Sequence, residues 1–169
     1  MATVPVSVCD LIRHHAEAHP EALAISKNEG KITFGELHVA SIRIARLLTD
    51  QGIGRGDVVP LLGSRCLEMI ACTLAIFMIG ATLVPMEAGS WSEERIQTVL
   101  DALEYKTLLV TAEGDVRRRK TIDYHEIQRA MTGGDDWDDG NTKAAINGPE
   151  SVRDVAYIIF TSGTTGMFQ

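Results

Sequence analysis

The sequence predicts an α/β fold: three layers, in which a partly parallel sheet is flanked by helices on both faces. Apolar residues recur alternately at strand and helix spacing along the middle of the chain. The connections between these segments are short, which favours parallel strands joined by right-handed crossovers. The length of 169 residues, with 45% hydrophobic and 23% charged residues, is typical of one globular domain.

Capping residues delimit the first two predicted helices. Ser7 begins a capping-box pattern, and Pro20 cannot continue a helix, so the first helix covers residues 8–19. The second begins at Gly35 and carries apolar residues at helical spacing on one face. Gly52 is placed as its C-terminal stop.

A β-hairpin is predicted between these helices. Short apolar-rich runs at residues 22–26 and 31–34 flank Asn28-Glu29-Gly30. Asn28 and Gly30 would supply the positive φ that a hairpin turn requires.

The middle of the chain predicts a β-α-β-α-β series. Its strands cover residues 57–62, 81–85 and 107–111, and its helices cover residues 68–79 and 92–103. The uncharged stretch 69–86 is about the minimum length of a membrane span, but Gly80 and Pro85 interrupt it. We therefore expect a buried helix followed by a buried strand there, and no membrane association.

The last third of the chain has weaker signals. It predicts a short helix at 124–131 and a strand at 156–160 that joins the main sheet. A basic run at 117–120 precedes the helix, and a flexible acidic loop near 132–150 follows it. The acidic loop lacks the alternating ligands of a calcium loop. We expect residues 1–169 to form a single domain.

Charge and cysteine content exclude several functions. Sixteen Lys and Arg against 23 Asp and Glu give a net charge of −7, which repels nucleic acid and anionic lipid. Three cysteines without a C-x-x-C pair predict neither a disulfide framework nor a zinc finger. With no visible targeting segment, these observations favour a cytoplasmic protein without a nucleic-acid partner.

The predicted chemistry lies in a polar loop directly after the last strand. The loop consists of Thr161, Ser162, Gly163, Thr164, Thr165 and Gly166. Its glycines let a ligand approach the backbone N–H groups, and its hydroxyls can donate to phosphate oxygens. The Walker pattern is absent, so by composition alone a polar turn is the commoner alternative to a phosphate site.

These residues carry a family resemblance. The segment from Tyr157 to Gly166 closely resembles the phosphate-binding loop of the adenylate-forming superfamily, which comprises acyl-CoA synthetases, nonribosomal peptide synthetase adenylation domains and luciferases. Residues 32–37 and 79–87 resemble two upstream family motifs in the same order. Ser92-Glu-Glu-Arg95 stands where adenylation domains carry proline-x-glutamate-arginine. The resemblance extends over about residues 7–168 and favours the peptide synthetase branch.

The resemblance implies that the loop from Thr161 to Gly166 contacts ATP, which the family uses with magnesium. The lysine that follows the family loop has no counterpart in residues 167–169. Ile79 replaces a family lysine and Glu87 an aspartate, at positions that we expect to be partly exposed. Family members continue beyond this loop to supply the acyl pocket, adenine contacts, the magnesium ligand and the catalytic lysine.

We therefore expect the incomplete N-terminal subdomain of an amino-acid- or acyl-activating ligase. By itself it should be inactive and should hold no cofactor tightly, so the sequence does not establish that the chain is an enzyme. The remainder of a synthetase or a carrier protein is the implied partner. Two alternatives stay open: a non-catalytic scaffold that associates with an intact synthetase, and a flavodoxin-like domain whose loop resemblance is accidental.

Three other candidate sites are weaker. His15 and His19 are four residues apart on a helix, which can suit zinc, but a helix surface is the commoner explanation. Cys72 lies in an apolar helix and is expected to be a buried small hydrophobe. Cys66 lies beside Arg65, which makes it a better candidate for a reactive thiol than Cys72, but it has no other feature of such a site.

Overall fold

The computed structural model describes residues 7–27, 30–112, 121–133 and 155–160. The elements in chain order are α1 (Val8–Ala18), β1 (Leu23–Lys27), β2 (Gly30–Thr33), α2 (Phe34–Asp50), β3 (Val58–Gly63), α3 (Leu67–Met78), β4 (Thr82–Glu87), α4 (Glu93–Asp101), β5 (Leu108–Val110), β6 (Thr121–Ile122) and α5 (Tyr124–Thr132).

The main sheet is parallel and has the strand order β4-β3-β5-β6. The segment 155–160 extends it beyond β4, because Leu83 forms a parallel bridge with Tyr157. β1 and β2 form a separate antiparallel pair. The predicted parallel series and the hairpin are therefore both confirmed.

Side chains that alternate along the strands divide the core into two parts, one on each face of the sheet. The first core joins α1, α2, α3 and α5 to one face, and its strand members include Val59, Leu61, Leu83, Leu109 and Ile122. The second core joins α4 to the opposite face, and its buried members are Leu62, Val84, Met86, Ile96, Val99, Leu100, Leu108 and Val110. Helices on both faces confirm the predicted three-layer α/β fold.

The helix starts follow the capping chemistry of the sequence. Ser7, Thr33 and Asp123 each form a capping box, in which the side chain accepts an N–H of the first turn and an acidic side chain accepts the N–H of the capping residue. Gly52 has a φ of 74°, the left-handed conformation expected after α2. Phe34 belongs to α2, because Thr33 is the cap.

Several expectations about local structure need correction. Gly30 is the first residue of β2, paired with Lys27, and does not have positive φ. The segment 156–160 forms a single bridge where a full strand was expected. β6 was not predicted, and Thr132 belongs to α5 instead of a loop. The basic run, Asn28 and the acidic loop beyond residue 133 lie outside the described residues.

The uncharged stretch 69–86 forms most of α3 and nearly all of β4, as expected. Within the part of the chain that the structure describes, none of the helices combines the length and apolar character needed to cross a bilayer.

Candidate functional site at the carboxyl edge of the sheet

The six predicted site residues, Thr161, Ser162, Gly163, Thr164, Thr165 and Gly166, lie outside the described residues. Phe160, the last described residue, immediately precedes them. The described part of the site consists of the residues that fix the position of Phe160 and of the sheet edge beside it.

Backbone hydrogen bonds fix the segment 155–160 against β4. Leu83 N–H donates to Ala156 O at 2.9 Å, and Ile158 N–H donates to Leu83 O at 2.8 Å. The Thr82 hydroxyl also donates to Val155 O at 2.9 Å. Because the segment runs parallel to β4, the root of the loop lies at the carboxyl edge of the sheet, where open α/β sheets bind their ligands.

Arg95, in the first turn of α4, contacts this root directly. Its Nη2 donates to Phe160 O at 3.4 Å. Its guanidinium carbon lies 4.1 Å from the centre of the Trp91 ring, which is cation–π geometry. In the sequence, Arg95 stands out only as part of a family motif. No spacing rule pairs it with a residue 65 positions later.

A crevice of about 250 Å³ opens between the carboxyl ends of β3 and β4. It is lined by Gly63, Arg65, Met69, Pro85, Met86, Glu87 and Trp91. Arg65 and Glu87 give it one cationic and one anionic group, while its other side chains are apolar. Such a crevice can hold an apolar body with a polar end.

Gly63 is required at the end of β3. A Cβ at this position would overlap the Thr111 hydroxyl and lie 3.2 Å from the Thr111 Cβ, so any larger residue would require the Thr111 side chain to shift. The Thr111 residue is 3% exposed, and its hydroxyl has no hydrogen-bond partner among the described residues. The present position of the Thr111 side chain therefore depends on the absence of a side chain at Gly63.

A second cavity, of about 580 Å³, lies on the other side of β3. It is lined by Lys27, Gly30, Ser64, Cys66, Leu67, Glu68, Thr111, Ala112 and Tyr124. Burial raises the pKa of the Cys66 thiol, the opposite of what a reactive thiolate needs. Cys66 is thus no better a nucleophile than the sequence suggested.

The remaining candidate residues, a histidine and a cysteine, take part in packing. His15 stacks on Phe34 with ring centres 5.0 Å apart. Cys72 is fully buried in the first core, and burial strongly raises its pKa, which confirms it as a small hydrophobe. Within the described residues, no group of three or more His, Cys, Asp or Glu side chains is placed to hold a metal ion.

The two residues that depart from the family motif lie in different environments. Glu87 is exposed at the end of β4, as expected. Ile79 is only 4% exposed and belongs to the first core, so the expectation of a partly exposed position was wrong there. An apolar residue at position 79 is therefore explained by the packing of this chain.

Comparison with known proteins shows which family this sequence matches. Residues 12–167 match the model of the AMP-binding enzyme family. Nonribosomal peptide synthetase tcpP of Claviceps purpurea (strain 20.1) is 88% identical over 166 residues, 98% of this chain and 8% of that protein. Nonribosomal peptide synthetase sirP of Leptosphaeria maculans is 34% identical over 161 residues, 94% of this chain and 7% of that protein.

A solved structure has the same fold. The Klebsiella oxytoca NpsA N-terminal subdomain in complex with anthranilyl-AMSN is similar over 95% of this chain and 39% of that chain, with 26% identity and a TM-score of 0.72. The chain spans only 7% and 8% of the length of the two curated relatives described above.

Proposed function

The chain belongs to the AMP-binding enzyme family, and from this membership we propose that it forms the phosphate-binding part of a nonribosomal peptide synthetase adenylation domain. In this proposal Thr161, Ser162, Gly163, Thr164, Thr165 and Gly166 contact the phosphates of ATP. The single observation that carries the proposal is the position of the segment 155–160, which runs parallel to β4 and reaches the carboxyl edge of the sheet immediately before this loop.

The chemistry of the loop suits phosphate. Four hydroxyls and the backbone N–H groups beside two glycines can donate to non-bridging oxygens. Neutral hydrogen bonds of this kind contribute about 0.5 to 1.5 kcal/mol each after exchange with water. These donors orient a polyphosphate, while ATP supplies the AMP that is transferred to a carboxylate.

Charge limits what this chain does alone. Transfer of AMP develops charge that needs positioned cations, and the loop itself contains no Lys or Arg. Ordering each residue of the loop costs about 1 to 2 kcal/mol of backbone entropy, which offsets most of the donor contribution. We therefore expect the chain alone to bind ATP and magnesium weakly or not at all, and to catalyse no exchange of pyrophosphate into ATP.

The partner in this proposal is the rest of an adenylation domain, followed by a carrier protein. The two synthetases named above are far longer than the region they share with this chain. They therefore contain ample sequence to supply the acyl pocket and the cations.

The test is reconstruction of a complete domain. The chain is substituted for its 166-residue counterpart in the Claviceps purpurea synthetase, and exchange of labelled pyrophosphate into ATP is measured with a panel of amino acids. We expect exchange from the chimera and none from the chain alone.

Two glycine variants serve as a matched pair in the chimera. Gly163→Val should abolish exchange, because a side chain would block the approach of phosphate to the loop backbone. Gly54→Val should preserve it, because a Cβ at Gly54 meets no atom within 4 Å. A micromolar dissociation constant of the isolated chain for ATP, lost in Gly163→Val, would contradict the proposal and identify a self-sufficient nucleotide-binding module.

A second candidate function is a non-catalytic scaffold that associates with an intact synthetase. The observation that favours it is the apolar surface formed by Val155, Tyr157 and Ile159, which are 59%, 57% and 62% exposed. Co-sedimentation of this chain with the complete Claviceps purpurea synthetase would support the scaffold. Its absence, together with exchange by the chimera, would exclude it.

A further inference from the structure

Arg95 connects three separate segments at the carboxyl edge. Its backbone lies in α4, its guanidinium covers the Trp91 ring at 4.1 Å, and its Nη2 donates to Phe160 O at 3.4 Å. The backbone N–H of Trp91 in turn donates to Glu87 O, at the end of β4. One side chain therefore joins α4, the turn after β4 and the final described residue.

The backbone of Arg95 is fixed independently of its side chain. The N-cap residue Ser92 accepts the Arg95 N–H through its hydroxyl, at 3.3 Å. The next residue, Ile96, is 5% exposed and belongs to the second core, together with Leu100 one turn later. The backbone of Arg95 is therefore held by its own helix, and its guanidinium can hold the Phe160 carbonyl in place.

The contact geometry requires a guanidinium. A planar guanidinium can stack on an aromatic face and still donate from its edge to a carbonyl, whereas a compact ammonium cannot satisfy both contacts equally well. The accepting carbonyl is that of Phe160, whose own side chain is half-buried against the second core.

We propose that Arg95 is a positioning residue for nucleotide binding: it fixes the carbonyl of Phe160, and so the direction in which the chain leaves the sheet into Thr161–Gly166. The inference rests on the proposed function in naming the loop as the phosphate site. It goes beyond that proposal in assigning Arg95 a role that acts through the backbone of Phe160, without contact with the phosphates.

Hydrogen exchange on the full chain tests the anchoring without any nucleotide. Arg95→Ala should raise amide exchange in peptides covering residues 155–160 about tenfold, since a cation–π contact and a charge-assisted hydrogen bond are lost together. Exchange in α4 and β5 should stay unchanged. Arg95→Lys should show a smaller increase. Arg13→Ala is the matched control, because it removes an exposed arginine paired with Asp10 on α1.

Enzyme kinetics in the chimera test the consequence for nucleotide binding. Arg95→Ala should raise KM for ATP about tenfold with a smaller change in kcat, and Arg95→Lys should partly restore it. Trp91→Leu should raise KM in the same direction, because the guanidinium loses the ring that orients it.

The outcomes separate the inference from the proposed function. Unchanged exchange at residues 155–160 in Arg95→Ala, or an increase spread equally over α4 and β5, would overturn the anchoring role. A loss of kcat at constant KM would overturn its connection with nucleotide binding. A wild-type chimera without pyrophosphate exchange would contradict the proposed function, while the hydrogen-exchange result on the chain would still decide the anchoring.

Discussion

The two faces of the sheet are covered to different extents. The first core, under α1, α2, α3 and α5, covers β3, β4, β5 and β6, but it does not extend over the segment 155–160. The second core, to which α4 is the one helix that contributes among the described residues, is smaller, yet it reaches Ile158 and Phe160 in that segment.

The alternation of side chains explains the contrast. Tyr157 is paired with Leu83, which faces the first core, so Tyr157 faces the same side. It is 57% exposed, and among the described residues the first core does not extend over this edge of the sheet. The larger core therefore buries most of the apolar side chains among the described residues, whereas the smaller one contacts the segment that leads into the proposed phosphate loop.

The largest expected effect is a difference between equivalent truncations in the two cores. Leu48→Ala, at a 0% exposed position in the first core, should lower the free energy of unfolding by about 3 to 5 kcal/mol. Leu100→Ala, 3% exposed in the second core, should cost about 2 to 3 kcal/mol, because fewer buried neighbours surround the cavity. Urea denaturation followed by circular dichroism measures both. Equal losses would refute the contrast between the cores.

A smaller effect is expected at the uncovered edge. Val155, Tyr157 and Ile159 form an exposed apolar row, so we expect the chain to self-associate. Ile159→Lys should weaken association about 10- to 150-fold, because one buried aliphatic side chain contributes about 1.5 to 3 kcal/mol. Sedimentation equilibrium gives the association constant.

The control for this surface lies on α1. Leu11→Lys replaces another exposed apolar residue, 50% exposed, and should leave association unchanged. A concentration-independent monomer in the wild-type chain, or an equal effect of the two variants, would show that the row beside β4 does not promote association.

The contrast between local and distant contacts also decides how much the sequence could predict. The order and type of the helices, the hairpin and the central parallel strands followed from periodicity and caps such as Ser7 and Gly52, which act within a few residues. The boundaries differed by one or two residues, since capping geometry was decided by neighbours such as Thr33. Family membership was predicted because three motifs are local in the chain.

Features that depend on distant neighbours were missed. β6 has only two residues and exists because β5 offers an open edge. Arg95 contacts Phe160 only once α4 and the segment 155–160 have packed on the same face. The burial of Ile79 likewise follows from the packing of the first core over the end of α3. The periodicity of apolar residues contains no information on contacts between residues that are distant in the sequence.

The smallest effect concerns a half-buried histidine on α2. His38 lies on α2, and its Nδ1 is buried without a hydrogen-bond partner among the described residues. Burial lowers the pKa of His38; Glu17 on α1 opposes this shift, and Arg13 on α1 adds to it. The folded chain therefore resists protonation of His38, whereas the unfolded chain takes up the proton near pH 6.5.

The sign of the pH dependence follows from that difference. Above about pH 6.5 the imidazole is neutral in both states, and the chain has its full stability. As the pH falls below that value, the unfolded state binds the proton first, so stability falls until the folded state is also protonated. His38→Gln should remove this part of the dependence, and the other four histidines remain in both proteins as an internal control. Urea denaturation between pH 5 and 7.5 gives the difference in unfolding free energy between the two proteins. A difference that stays constant over this range would mean that α1 and α2 leave His38 open to water, so that folding does not lower its pKa.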